Sequence, residues 1–198
     1  MTKWISKDQR VEEIINAAVE IFLEKGYEGT SMEAIAQKAN VSKGGLYYHF
    51  KSKEAILYYA NEKLGKPIYL YIQNAISNPD AVQGIKSYIR SYIKYWIEHR
   101  RELTFFFLTI TKALACIEMW KIYEDYFNQM DTFLMGLFEK GIREGRFIEH
   151  NARASSVTLL SALDGILVYL IMNRSLNPDE IIYHFEEKFV TPLIIKEN

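Results

Sequence analysis

A single cysteine, four prolines and four histidines in 198 residues leave little material for several kinds of chemistry. The lone thiol, Cys116, cannot close an intramolecular disulfide, which sets aside a disulfide-stapled secreted scaffold and suits a reducing cytosol. Cys116 beside Glu118 reads either as a redox thiol or as an inert buried one, and the absence of a basic neighbour close in sequence favours the second. His49, His99, His150 and His184 each lack a second histidine or cysteine one helical turn away, so no helical metal pair of that kind forms and no metal is expected. The chain has no G-x-S-x-G elbow, no P-loop and no dinucleotide glycine run, so neither a cofactor nor a catalytic pair is expected, and the chain does not read as an enzyme. The N-terminal MTKWISKDQR lacks the apolar run of a signal peptide. The longest apolar run, Gly165 to Met172, is too short to span a bilayer, so a cytoplasmic protein with no membrane partner is expected. Net charge is -1, which excludes a polybasic or broadly nucleic-acid-coating protein; any nucleic-acid contact must come from a focused patch.

Strand alternation is missing too, whereas helical periodicity runs through the chain, and 49% hydrophobic residues are ample for a packed core. The expectation is an all-α protein of about nine helices. Val11, Ile14, Ile15, Ala18, Ile21 and Phe22 form one apolar stripe, placing a first helix over Lys7 to Lys25 with Gly26 ending it and Met1 to Ser6 as a loose arm.

The stretch from Thr30 to Lys53, TSMEAIAQKANVSKGGLYYHFKSK, reads as two short helices and a tight turn. Thr30 and Glu33 have capping-box spacing, so a helix is predicted to start there and to bury Met32, Ile35, Ala36 and Ala39. Asn40 can take the left-handed conformation that ends a helix, and Val41 can fill the corner. Ser42 is the N-cap of the next helix, whose Leu46 and Phe50 point inward. Between Ala34 and Lys53 lie Lys38, Lys43, Lys51 and Lys53 and no acid. Gly44 and Gly45 cost helix stability, roughly 1 kcal/mol each, in exchange for close backbone approach to a partner. Tyr47, Tyr48 and His49 offer hydroxyl and imidazole donors of the kind that position phosphates. A helix–turn–helix that places its second helix in the DNA major groove is built in this way. The candidate DNA-contacting residues are Thr30, Ser31, Ser42, Lys43, Gly44, Gly45, Tyr47, Tyr48, His49 and Lys53, with Lys43 reaching a base edge and Lys53 a phosphate.

On Gly26-Tyr27, Thr30-Ser31-Met32, Ile35-Ala36, Val41 through Phe50 and Lys51-Ser52-Lys53-Glu54, the chain resembles the N-terminal domain of TetR/AcrR-type bacterial transcriptional repressors. The likeness is dense from about Arg10 to Glu54; the other three-quarters resembles the family only in layout. It implies a helix-turn-helix DNA-binding domain over 1–52 and a larger helical ligand-binding and dimerisation domain over 53–198.

In that larger domain Ser52 can cap a fourth helix, interrupted at Gly65-Lys66-Pro67 either by a kink and restart or by a loop; the kinked connector is preferred. Asn78-Pro79-Asp80 and Asn177-Pro178-Asp179 read as helix starts with Asn as N-cap and Pro at the first helical position. Tyr88, Tyr92, Tyr95 and Trp96 make an aromatic stripe; Glu102 to Ala115, around Phe105-Phe106-Phe107, is apolar nearly all round; and a long helix follows from near Glu118 to Gly145. These aromatics read as core or as a ligand pocket, and the candidate ligand-binding set is Tyr92, Trp96, Phe106, Trp120, Tyr123, Phe127 and Asp164. Asp164 stands in the most apolar helix, running from Asn151 to about Arg174, where three roles are open to it: a ligand cation, a polar network at a dimer interface, or an arginine partner. The same helix carries Ser161, Gly165 and Val168, a small-residue face fit for close helix approach. In the resembled family the two C-terminal helices bundle with their copies in a second subunit, and these residues fit that as well as a central core helix.

The reading is therefore a ligand-responsive homodimer that binds double-stranded operator DNA at a near-palindrome and is released by a small, largely apolar or aromatic effector. The rival is a helical small-molecule carrier or an enzyme with its site among the Tyr/Trp helices, which leaves Lys43-Gly44-Gly45 without a purpose.

Overall fold

A computed structural model describes residues 6–115, 117–173 and 175–196. Cys116, Arg174 and the first five residues, including most of the expected arm, lie outside the described residues. The helices are α1 (Lys7–Lys25), α2 (Met32–Lys38), α3 (Lys43–His49), α4 (Lys53–Ser77), α5 (Ala81–Glu98), α6 (Arg100–Leu114), α7 (Ile117–Arg143), α8 (Ala152–Met172) and α9 (Pro178–Phe189), followed by a 3-10 turn over Thr191–Leu193. The expected all-α architecture is what the described residues show; their one β feature is an isolated bridge between Phe147 and Ile194.

The chain divides into two compact units, one of residues 1–65 with 104–116 and the other of 66–103 with 117–198. Helices α4 and α6 each contribute a segment to both.

In the first unit, α1 buries Ile14, Ile15, Ala18, Ile21 and Phe22 of the stripe expected from its periodicity, with Val11 only half-buried. They share a core with Ile35, Leu46, Ile56 and Leu57, all fully buried. Phe105 of α6 joins this core, its ring 6.1 Å from that of Phe22. Helix α1 is capped more firmly than its sequence promised: Ser6 and Gln9 form a reciprocal capping box.

Two helix starts differ from expectation. The N-cap of α2 is Ser31, whose hydroxyl accepts from Ala34 N at 3.1 Å. Thr30 is instead buried, its hydroxyl donating to Gly26 O at 2.7 Å, a bond that fixes the α1–α2 turn. Likewise Asp80, not Asn78, caps α5, accepting from Val82 N and Gln83 N, while Asn78 Oδ1 accepts from Asp80 N. A carboxylate at the cap favours the helix dipole over the amide two residues earlier. Asn177 does cap α9, with Pro178 in the first turn.

No restart occurs at Pro67: α4 runs unbroken from Lys53 to Ser77 with the proline inside it. Its capping by Ser52 is as expected, the hydroxyl accepting from Ala55 N at 3.2 Å.

In the second unit α5 packs against α7, α8 and α9, and α7 against α8. The stripe of Tyr88, Tyr92, Tyr95 and Trp96 is buried in this bundle. Ion pairs bind α5 to α9: Glu186 meets Lys86 at 3.4 Å and Arg90 at 3.0 Å, and Lys94 meets Asp179 at 3.1 Å. Gly145, at φ +67°, ends α7 and lets Arg146 N and Phe147 N both reach Gly141 O. Among the described residues one helix, α8, is long and apolar enough by length and composition to cross a bilayer. The uninterrupted run beginning at Gly165 understated it, because Leu159, Leu160 and Leu163 extend the apolar character past Asp164. One face of α8 is buried within its unit through Ser156, Leu159, Leu163, Leu167 and Leu170.

Candidate nucleic-acid interface and effector site

The turn between α2 and α3 is set by three residues. Asn40 takes φ +52°, Val41 N closes back on Ala36 O at 3.0 Å, and Ser42 Oγ accepts from Gly45 N at 3.0 Å. Leu46 is fully buried and Phe50 nearly so, which holds α3 by one side and turns the other outward. Ser31, Ser42, Lys43, Gly44, Tyr47 and Tyr48 are exposed on this module. Tyr48 is 69% exposed, too open for a packing residue. A Cβ at Gly44 would meet no atom within 4 Å, so the glycine leaves open space on the outer side of the first turn. At Gly45 a Cβ would stand 3.1 Å from the capping Ser42 oxygen, so that glycine protects the cap. His49 is half-buried, edge-on to Tyr48 at 5.0 Å.

Lys43 is not a free cation. Its Nζ lies 2.5 Å from Glu33 Oε1 of α2, and both side chains are largely exposed. The hydrogen bond raises the lysine pKa and lowers that of the glutamate. Reading only from Ala34 onward hides this acid, which stands one residue earlier in the sequence.

Lys53 is more deeply engaged. Its Nζ donates to Tyr27 O at 2.7 Å and to Thr30 O at 2.8 Å, and it sits 4.2 Å from the centre of the Tyr27 ring. The Tyr27 hydroxyl donates to Glu54, and that bond holds the Glu54 carboxyl below its usual range. Lys112 of α6 pairs with Glu28 and also lies over the Tyr27 ring, at 4.6 Å. The contacts of Tyr27, Glu28 and Lys112 carry no local signal in the sequence because their partners are remote in it.

The effector candidates are distributed unevenly. Tyr92, Trp96, Trp120, Tyr123, Phe127 and Asp164 belong to the second unit, and Phe106 to the first. Tyr92, Trp96 and Tyr123 are buried, Phe127 is half-buried and Trp120 is 42% exposed. Tyr92 and Asp164 meet directly: the hydroxyl donates to Oδ1 at 2.9 Å. Burial pushes the Asp164 pKa up to about 6, against the opposing effect of that hydrogen bond. Among the described residues no arginine fills the partner role left open for Asp164. Ser161, Gly165 and Val168 are all exposed on α8, beside exposed Val157, Tyr169 and Met172.

Comparison with known proteins agrees with the local geometry. The sequence model described as "Bacterial regulatory proteins, tetR family" matches residues 14–60. The biofilm operon icaADBC HTH-type negative transcriptional regulator IcaR of Staphylococcus aureus is 42% identical over 65 residues, 33% of this chain and 33% of that protein. The transposon Tn10 TetC protein of Escherichia coli is 30% identical over 92 residues, 46% of this chain and 47% of that one. These alignments thus span from a third to about half of the relatives' own lengths. Among solved structures, the transcriptional regulator FadR of Bacillus subtilis in complex with stearoyl-CoA superposes with a TM-score of 0.75 at 23% identity, over 92% of this chain and 98% of that one. A transcriptional regulator of Saccharomonospora viridis in complex with choline gives 0.78 at 17% identity, over 96% and 100%. The three-helix module is thus similar over residues 14–60 to the DNA-binding part of tetR-family bacterial regulatory proteins, and the fold is shared along nearly the whole chain with the solved structures.

Proposed function

We propose that this protein is a dimeric, ligand-responsive DNA-binding regulator that represses from a near-palindromic operator. The observation that carries the reading is the outer face of α3, where Lys43, Gly44, Tyr47 and Tyr48 are exposed on a helix capped by Ser42 and held by buried Leu46. Residues 1–52 form the DNA-binding part, with 53–198 binding the effector and the second copy. Ser31, Ser42, Tyr47, Tyr48 and His49 position phosphates, and the α3 N-terminus brings Lys43 to a base edge. Thr30 and Lys53 contribute by holding the α1–α2 turn, and Lys53 keeps a third N–H for a phosphate.

Dimerisation through α8 and α9 is supported on α8 by the exposed stripe of Ser161, Gly165, Val168 and Met172, which a second copy would cover by close helix packing. Two reading helices then sit about one helical turn of DNA apart, roughly 34–36 Å. The effector reading is supported by the part-buried Tyr92–Asp164 contact and by the complexes of structurally similar proteins with stearoyl-CoA and choline. A ligand that favours a conformation with mismatched reading heads weakens DNA binding, and DNA weakens ligand binding by the same factor. A cytoplasmic location with no membrane partner completes the proposal.

Selection of bound sequences from random double-stranded DNA tests it. Enrichment of a two-fold-related motif is expected. Recovery of unenriched DNA would return the chain to the carrier class.

A further inference from the structure

Asp164 breaks the apolar run of α8 on the flank between the buried Leu163 and Leu167 and the exposed Gly165 and Val168. Other carboxylates of the same unit have cationic partners: Glu186 has Lys86 and Arg90, Asp80 has Arg146, and Asp131 has Arg153. Among the described residues no lysine, arginine or histidine pairs with Asp164; its partner is the neutral Tyr92 hydroxyl at 2.9 Å. Burial raises its pKa to about 6, so at neutral pH it carries a largely uncompensated charge. Such a charge is costly unless a counter-charge arrives. Around Tyr92 the rings of Tyr88 and Trp96 lie at 5.6 Å and 6.3 Å, and Phe133 lies 5.0 Å from Tyr88. Aromatic rings beside a carboxylate are the chemistry that recognises an alkylated ammonium, by charge at one end and by the ring quadrupole and apolar contact around it.

We propose that Asp164, with the rings of Tyr92 and Trp96, recognises the positive nitrogen of an organic cation bearing an apolar body. The assignment rests on the effector-binding reading above and narrows its ligand class. On α5, which packs against α8, Lys86, Arg90 and Lys94 are paired with Glu186 and Asp179 of α9, and His99 stacks on Tyr95 at the helix end at 4.2 Å.

The test uses the full-length chain and two probes of equal shape, benzyltrimethylammonium and its uncharged carbon isostere neopentylbenzene, with binding read by tryptophan fluorescence at pH 7.5. The cation should bind at least ten-fold more tightly than the isostere. Asp164→Asn should abolish that preference. In the unaltered protein the cation affinity should fall about ten-fold at pH 5, one unit below the carboxyl pKa of about 6, as the charge is neutralised. Equal binding of both probes, binding of neither, or a preference that survives in Asp164→Asn overturns the proposal. So does an Asp164→Asn variant altered only in dimer dissociation, which would assign the carboxylate to the second copy. If that variant does not fold, the pH arm decides, and a cation affinity flat from pH 8 to 5 overturns the proposal. Operator binding measured on the same preparation reads the parent hypothesis separately, since loss of DNA binding leaves the cation preference intact.

Discussion

The Lys53 ammonium is bound by the carbonyl of Tyr27, 26 residues earlier, at 2.7 Å, and so ties the start of α4 to the α1–α2 turn. A second bond to Thr30 O at 2.8 Å makes it a clamp on that turn. Lys53→Met keeps the aliphatic stem and removes both donors. We expect a loss of roughly 1–3 kcal/mol of stability from the two unsatisfied carbonyls, seen as a lower Tm. Full stability with reduced DNA affinity and a salt slope smaller by about one would instead assign Lys53 mainly to phosphate.

Lys43 and Glu33 give the opposite expectation. Their 2.5 Å pair is exposed, so it matters for binding rather than folding. Lys43→Ala should leave Tm unchanged and alter which operator base is preferred. Glu33→Gln should free the lysine and strengthen binding to all sequences a few-fold at low salt. A Lys43→Ala protein that loses affinity uniformly, with its preference intact, would remove base reading from this residue.

At Gly165 an added Cβ would meet no atom within 4 Å inside the chain. Gly165→Glu should therefore fold normally yet expose a charge where the proposed second copy would pack. Sedimentation is expected to give a monomer with weakened operator binding and unchanged helical content. A dimer of ordinary strength would place the interface elsewhere.

Pro67 lies inside α4, where it cannot donate to Lys63 O. Pro67→Ala restores that bond and should stabilise the protein by roughly 1–3 kcal/mol. It should change operator affinity little. If Pro67 sets the coupling between effector and DNA, the ratio of effector affinities with and without operator will shift several-fold by calorimetric titration. A ratio equal to that of the unaltered protein confines the proline to a local role.

Local rules carried most of the fold. The Asn40 corner, the Ser42 cap, the α1 stripe and the Asn177-Pro178 start are set by neighbours in sequence, and each stands where periodicity and capping place it. The two differing starts turn on competition between neighbouring caps: Thr30 and Ser31 are both competent and the Gly26 carbonyl took the Thr30 hydroxyl, while at α5 Asp80 caps in place of Asn78. The unbroken α4 likewise reflects packing. Ile56, Leu57 and Ala60 are buried before Pro67 and Ile68, Ile72 and Ala75 after it, and that burial outweighs one missing hydrogen bond. Of the candidate sites, the exposed α3 face was legible because it departs from the balanced charge of the chain. The cluster of Tyr27, Lys53, Glu54 and Lys112 was not, since its members meet only after α1, α4 and α6 have packed.

Asp164 also makes a prediction about stability that does not depend on any ligand. Its folded pKa of about 6 lies above the ordinary aspartate value of ~3.9, so the folded state holds this proton more tightly than the unfolded chain does. The sign follows: below about pH 4 both states are protonated and the group adds no pH dependence. Between about pH 4 and 6 the unfolded state releases its proton first, and stability falls as pH rises. Above pH 6 both states are ionised and the full penalty of burying the charge applies, on the order of 2–3 kcal/mol before the remaining exposure of the side chain is discounted. Asp164→Asn removes the charge while keeping an acceptor for the Tyr92 hydroxyl at nearly the same place. Thermal unfolding should therefore show Asp164→Asn more stable than the unaltered protein at pH 7.5, by roughly 1–2 kcal/mol, with the gap closing as pH falls below 5. A variant less stable than the parent at pH 7.5 would mean that the carboxylate has a compensating partner in the folded protein, and the cost argued here would not exist.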